Sequence, residues 1–186
     1  MKIIAGKFKG KKLFLPLDKN TRPLKNIVKE SIFNLLEHSK KFNIDLKNSL
    51  VLDLFSGSGS FGIECISRGS ENVYFFENYM QAVKILKKNL SALEKVHNYK
   101  IFEFNCFDYF NSNREIGKKF DIIFIDPPYK ETKINELLEK IIKKKILKSQ
   151  GILIIHRHKK DKLEITGKIK VLDVRNYGLS KVYIAS

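Results

Sequence analysis

Tryptophan is absent from the 186 residues, and only two cysteines and four prolines occur. The cysteines, Cys65 and Cys106, form no C-x-x-C pair, so neither a disulfide framework nor a cysteine-based zinc site is indicated, and a reducing, cytoplasmic setting is expected. No stretch approaches the ~18 consecutive apolar residues of a membrane span, and Met1-Lys-Ile-Ile-Ala-Gly has no long apolar leader, so no membrane partner is expected. Repeats, Pro- or Gly-rich linkers and low-complexity tails are also missing. Four histidines are too few and too scattered for a metal centre; His156 and His158 share one strand face without a third ligand nearby, read as surface residues, and no metal is expected. Acidic charge is scarce: Asp and Glu number 20 against 36 Lys and Arg, giving a net charge of +16. Such a surplus suits a polyanion, whose phosphates it neutralises with release of counterions, although a chain rich in Lys, Ile, Asn and Phe is also what an AT-rich genome encodes.

What the chain does contain is an alternation of strand and helix patterns. Apolar runs at 49–55, 72–76, 100–104, 121–125 and 151–155 alternate with helical spacing at 63–68, 82–93 and 134–147, which predicts a doubly wound parallel α/β sheet. Two more strands, 165–174 and 181–185, are close enough to close the edge as an antiparallel hairpin. Ahead of the sheet, residues 2–16 read as a basic β-hairpin carrying Lys7, Lys9, Lys11 and Lys12 around Phe8, and a helix follows Thr21-Arg22-Pro23 up to about Ser39 with Ile27, Ile32, Leu35 and Leu36 on its apolar face. We therefore expect residues 1–40 as a basic extension and 41–186 as the α/β domain. The hairpin suits tracking of a nucleic-acid backbone with a stacking side chain, or equally an edge protected by lysines.

Two stretches carry chemistry. In Asp121-Ile-Ile-Phe-Ile-Asp126-Pro127-Pro128-Tyr129 a buried strand stops at a carboxylate and two prolines. The prolines donate nothing, so Asp126 and the local carbonyls form an acceptor-only patch suited to an NH2 group, and Tyr129 offers a face for a planar ring. An amino-bearing nucleobase is the expected substrate. Upstream, the strand 49–55 runs into Gly57-x-Gly59-x-x-Gly62 and a helix, and Glu77 ends the next strand, the layout of a nucleotide-type cofactor site. NAD or S-adenosylmethionine fits that layout; Asp53 favours the latter, since a carboxylate there suits an amino or sulfonium cation and repels a pyrophosphate. Asp53 hydrogen-bonded to the glycine loop is the structural alternative.

Val51-Leu-Asp-Leu-Phe-Ser-Gly-Ser-Gly-Ser-Phe-Gly62 with Ile125-Asp-Pro-Pro-Tyr129 resembles the amino-methyltransferases that use S-adenosylmethionine. With Ile3-Ile-Ala-Gly-Lys-Phe-Lys-Gly-Lys-Lys-Leu13, Thr21-Arg-Pro-Leu, Glu30-Ser-Ile-Phe-Asn-Leu35 and Tyr177-Gly, the chain is similar nearly end to end to the bacterial 16S ribosomal RNA guanine-N2 methyltransferases of the RsmD family. The resemblance implies a Rossmann-like fold, with Asp53, Phe55, Gly57, Gly59, Glu77, Asn105 and Cys106 toward the cofactor and Asp126 to Tyr129 toward a guanine. It further implies Lys7, Lys9, Lys11, Lys12 and Arg22 toward RNA, a monomer, and ribosomal RNA or a small-subunit assembly intermediate as partner. Relatives have an acidic residue where Asn105 stands, with Asp108 three residues on. Rival expectations are a DNA adenine-N6 methyltransferase and a non-catalytic RNA-binding protein on the same scaffold.

Overall fold

The computed structural model describes residues 1–17, 23–39, 41–161, 163, 165 and 169–186. Helix α1 (Asn26–His38) precedes strand β1 (Leu50–Leu54), followed by α2 (Ser60–Ser67), β2 (Asn72–Phe76), α3 (Met80–Ser91), β3 (Tyr99–Phe102), α4 (Cys106–Asn111) and β4 (Phe120–Ile125). The chain ends with α5 (Ile134–Lys143), β5 (Leu147–His158), β6 (Val171–Tyr177) and β7 (Ser180–Ala185). The strands form one sheet in the order β3-β2-β1-β4-β5-β7-β6, parallel from β3 to β5 and antiparallel through β7 and β6. The predicted sheet is thus the observed one. Strand order reverses between β1 and β4, and in open α/β sheets the crevice at such a switch point, beyond the strands' C-terminal ends, is where ligands bind.

Alternation along β1 decides the layers. Val51 faces a cluster with Val28, Ile32, Phe33, Phe61, Leu86 and Leu90 of α1, α2 and α3, whereas Leu52 and Leu54 face Tyr109, Phe110, Leu137, Leu138 and Ile141 of α4 and α5. Both faces of the central strands are covered, which is why their sequences read as nearly unbroken apolar runs. Each fully buried Leu, Ile or Phe contributes ~1.5–3 kcal/mol. Phe33, Phe61 and Phe124 stack in series, at 5.1 and 4.0 Å between centroids, and join α1 to α2 and α2 to β4.

Several boundaries differ from the sequence reading. The predicted hairpin is reduced to one antiparallel bridge, Lys2 to Lys12, with backbone bonds from Ile3 N to Lys11 O and Leu13 N to Met1 O beside it and a turn over residues 7–10. Phe8 is half-buried against the core instead of standing between free lysines. In α1 the buried face is Val28, Lys29, Ile32, Phe33 and Leu36, and Ile27 is 67 % exposed, because the helix starts at Asn26. Helix α4 lies where a loop was expected; the Asn105 side chain accepts from Phe107 N and caps it, a turn-favouring residue acting as an N-cap. Helix α5 stops at Lys143 since Lys145 turns left-handed (φ 50), and β5 starts early at Leu147, paired through an irregularity opposite Phe120 to Ile122. Strand β6 begins at Val171, not Ile165; residues 166–168 lie outside the described ones.

A buried ionic cluster fastens the N-terminal segment to α2. Both oxygens of Glu64 are occupied: Ile4 N and Ala5 N donate at 2.8 and 2.9 Å, Arg68 Nε at 3.0 Å, and Lys29 Nζ lies at 3.3 Å. Lys29 also donates to Lys2 O, and burial pushes its ammonium below the usual lysine value although Glu64 works against that. Gly6 (φ 79) passes so near α2 that a Cβ would lie 1.9 Å from Ser67 O. Glu64→Ala leaves the buried Lys29 charge and two backbone N–H groups without their carboxylate and should cost ~3–5 kcal/mol in urea unfolding. Lys29→Met, in which Glu64 keeps Arg68 and both N–H donors, should cost less; the reverse order would contradict this account.

Candidate functional site

β1, β2 and β4 end together by construction. Ser56 fastens the first two ends, its N–H and hydroxyl both donating to Phe76 O and the hydroxyl also to Asp53 O, and Glu77 N donates to Phe102 O at the end of β3. Asp126 N reaches Leu54 O at 3.4 Å. Beyond these ends opens a cavity of about 460 Å³ whose lining includes Asp53, Phe55, Gly57, Glu77, Asp126 and Tyr129. Both chemistry-bearing stretches therefore meet in one crevice at the switch point.

The turn after β1 is strained where it rounds the cavity. Phe55, a non-glycine, has φ 60, and Gly57 has φ 56; only glycine adopts such angles at no cost, so Phe55 holds a conformation costing of order 1–3 kcal/mol. Gly57 N donates to Glu77 Oε2 at 2.7 Å, while Glu77 Oε1 accepts from Asn78 N and Tyr79 N. Glu77 is thus an acceptor fixed by three backbone donors at the cavity wall. Gly59 does not line the cavity: its Cβ would meet Leu86 of α3 at 2.3 Å, so this glycine serves helix packing. Gly62 lacks a side chain for a similar reason, because a Cβ would lie 2.3 Å from Phe75.

Asp53 is 1 % exposed and accepts from Gly62 N at 3.0 Å, so the structural alternative for this residue holds together with its place on the cavity wall. Burial pushes its carboxyl well above the usual range; the Gly62 N–H pulls it back, and the Asp126 and Glu77 carboxylates push it further up. Lys25 and His156 are the basic side chains among the lining residues. The chamber is rich in acceptors and favours an incoming cation.

Asp126, Pro127, Pro128 and Tyr129 line the same cavity beyond the end of β4. Arg157, 3 % exposed, secures this turn from behind, donating to Pro128 O at 3.2 Å, Tyr129 O at 3.4 Å and Glu131 O at 2.9 Å while pairing with Asp161. Tyr129 meets His158 edge-on, with centroids 5.2 Å apart. His156 is not a surface residue: it is 6 % exposed, and its Nδ1 lies 2.7 Å from Asp126 Oδ1. Periodicity reads His156 and Arg157 only as strand positions; the signal that marks them is that β5 is the parallel neighbour of β4, with Ile155 opposite Ile125.

A smaller recess of about 160 Å³ continues past Glu77, lined by Phe55, Phe104, Asn105, Cys106 and Phe107 among others. Asn105 stands in this recess and Asp108 does not, but the Asn105 carbonyl oxygen is taken up capping α4. The Cys106 thiol is pushed up to about 12 by burial, which makes it a wall and not a nucleophile. Of the basic candidates, Lys7, Lys9 and Lys12 are exposed outside the cavity, Lys11 is half-buried and donates to Ala92 O, and Arg22 lies outside the described residues. Among the described residues no group of three or more His, Cys, Asp or Glu is arranged to hold a metal ion, and no helix is long and apolar enough to cross a membrane.

The raised Asp53 value has a testable sign. The folded state binds a proton at Asp53 that the unfolded chain has released, so the contribution to stability is full below the ordinary carboxylate value of roughly 4 and is lost as pH rises through the folded value. Urea unfolding of the free protein over a pH series should show wild type losing stability relative to Asp53→Asn as pH rises; a pH-independent difference would contradict the burial argument.

A family model described as "Conserved hypothetical protein 95" matches residues 1–186. "Putative rRNA methyltransferase YlbH" of Bacillus subtilis (strain 168) is 33 % identical over 185 residues, 99 % of this chain and 97 % of that protein. "Ribosomal RNA small subunit methyltransferase D" of Buchnera aphidicola subsp. Baizongia pistaciae is 33 % identical over 157 residues, 84 % of this chain and 76 % of that protein. Among solved structures, "Putative methyltransferase yhhF from Escherichia coli" superposes with a TM-score of 0.83 at 23 % identity, covering 100 % of this chain and 96 % of the other, a likeness of fold.

Proposed function

Since the chain belongs to the family described as conserved hypothetical protein 95, the RsmD family of the sequence resemblance, we propose that it transfers a methyl group from S-adenosylmethionine to the exocyclic N2 of a guanine in small-subunit ribosomal RNA. The observation that carries this reading is the meeting of Asp53 and Glu77 with Asp126 to Tyr129 in a single cavity at the switch point. The names of the Bacillus and Buchnera relatives, an rRNA methyltransferase and a ribosomal RNA small subunit methyltransferase, support the substrate class.

The residues fit the cofactor. A buried carboxylate flanked by two more matches an amino-acid cation and a sulfonium, and phosphate would be repelled. When bound, S-adenosylmethionine supplies an electrophilic methyl group. Asp53 and Gly57 would hold its methionine end, Glu77 its ribose hydroxyls, and the recess lined by Phe55, Asn105, Cys106 and Phe107 its adenine.

The rest of the work concerns the nucleophile. An aromatic amine is a poor one, because its lone pair is delocalised into the ring. Asp126 accepts one N–H and supports the positive charge that grows on nitrogen as the new bond forms. Pro128 O already serves Arg157 and the N–H of Glu131, so the Pro127 carbonyl is assigned the second N–H. Tyr129 holds the plane of a base taken out of its stack. Exposed Lys7, Lys9 and Lys12 are assigned to the RNA backbone, whereas Lys11 is assigned to anchoring its segment on Ala92.

The test is incubation of the protein with labelled S-adenosylmethionine and separate pools of ribosomal RNA, small subunits and duplex DNA, then digestion and identification of the nucleoside. N2-methylguanosine from RNA is expected; N6-methyladenine in DNA, or no transfer, would overturn the reading. Glu77→Ala should weaken calorimetric cofactor binding by ~1–3 kcal/mol through loss of charge-assisted hydrogen bonds. Unchanged affinity in a folded variant would remove Glu77 from the site.

A further inference from the structure

His156 belongs to β5 but reaches across to the end of β4. Its neighbour Ile155 is opposite Ile125 in parallel register, so His156 comes level with Asp126, and the ring closes the cavity wall near Phe124 and Ser180. Nδ1 lies 2.7 Å from Asp126 Oδ1. At the other side of the ring Nε2 is buried and, among the described residues, has no hydrogen-bond partner.

These two facts select one protonation form. With the proton on Nε2 alone, a buried donor would be orphaned and the Nδ1 lone pair would face a carboxylate oxygen at hydrogen-bond distance. The imidazolium would satisfy Nδ1–H but still orphan Nε2–H. The neutral Nδ1–H form leaves unpaired only an acceptor lone pair, and a buried unpaired acceptor is tolerated more readily than a buried unpaired donor.

We propose that His156 is a positioning residue for Asp126: its neutral Nδ1–H occupies Oδ1, fixes the carboxylate, and leaves Oδ2 to meet the amino group of the target base. This rests on the reading of Asp126 given above and goes beyond it. Choice of side chain matters here. A lysine or arginine at this point would hold the carboxylate equally well but would place a positive charge beside a nitrogen that is itself becoming positive. Neutral imidazole orients Asp126 and leaves its full negative charge for the transition state, and Arg157, the next residue on the strand, spends its charge on the backbone carbonyls and Asp161 instead.

Four measurements test this. Nitrogen-15 NMR of the free protein should show the His156 ring protonated at Nδ1 and not at Nε2. His156→Leu, which removes the donor, should lower kcat about 10-fold or more, as loss of a partner that orients a site ligand does, with cofactor Kd within about twofold. His156→Asn, whose amide can place an N–H where Nδ1–H was, should recover most of that loss. In an Asp126→Asn background His156→Leu should have little further effect, since a residue that acts through Asp126 has nothing left to act on. A proton on Nε2, or a His156→Leu penalty of the same size in both backgrounds, would overturn the proposal. Absence of methyl transfer by wild type would instead overturn the proposed function, and the NMR result then decides the pairing on its own.

Discussion

Three carboxylates, Asp53, Glu77 and Asp126, share one crevice at the C-terminal edge of a parallel sheet, and the surrounding structure serves to keep them there. Burial and the two neighbouring carboxylates together push the Asp53 carboxyl well above the usual range. Backbone N–H groups orient two of the three, Gly62 N for Asp53 and those of Gly57, Asn78 and Tyr79 for Glu77, and His156 Nδ1 lies at hydrogen-bond distance from Asp126 Oδ1. Fixed dipoles orient these carboxyl groups, and an incoming cation pulls the Asp53 carboxyl back toward its ionised form. A chamber built in this way attracts a cation and supports positive charge that forms inside it, the electrostatic demand of methyl transfer from a sulfonium to an amine.

The exterior has the opposite sign. A body of net charge +16 surrounds an acidic chamber, so a polyanion is drawn to the surface and a cation to the interior by the same fold. The N-terminal segment belongs to this arrangement. It displays Lys7, Lys9 and Lys12, while Lys11 and the Glu64 cluster tie it to α3 and to α2, the helix that leads out of the glycine turn. A basic surface element is thereby fixed relative to the chamber by buried ionic contacts.

Much of this was legible in the sequence, for physical reasons that differ between parts. Strands β1, β2 and β4 are buried on both faces, so their apolar runs are strong signals, and β2 was bounded as observed. Glu77 and Asp126 were legible because each stands at the last turn of such a run. What escaped depends on contacts between distant residues. Helix α4 is six residues held by one cap, too short for periodicity to register. Gly59 carried a ligand-binding pattern, yet its missing side chain makes room for Leu86, a packing demand that no motif reveals. His156 looked like a surface residue until strand order brought β5 beside β4; a separation of 30 positions from Asp126 hides the pairing from any local window.

The most direct test of the central claim separates holding the cofactor from activating the base. Asp126 belongs to the Asp126-Pro127-Pro128-Tyr129 turn assigned to the base, so Asp126→Ala should leave S-adenosylmethionine affinity close to wild type while single-turnover methyl transfer, at saturating RNA and cofactor, falls by ~10²- to 10³-fold. A folded Asp126→Ala protein that transfers methyl to RNA at the wild-type rate would contradict the account and reduce Asp126-Pro-Pro-Tyr129 to a structural turn.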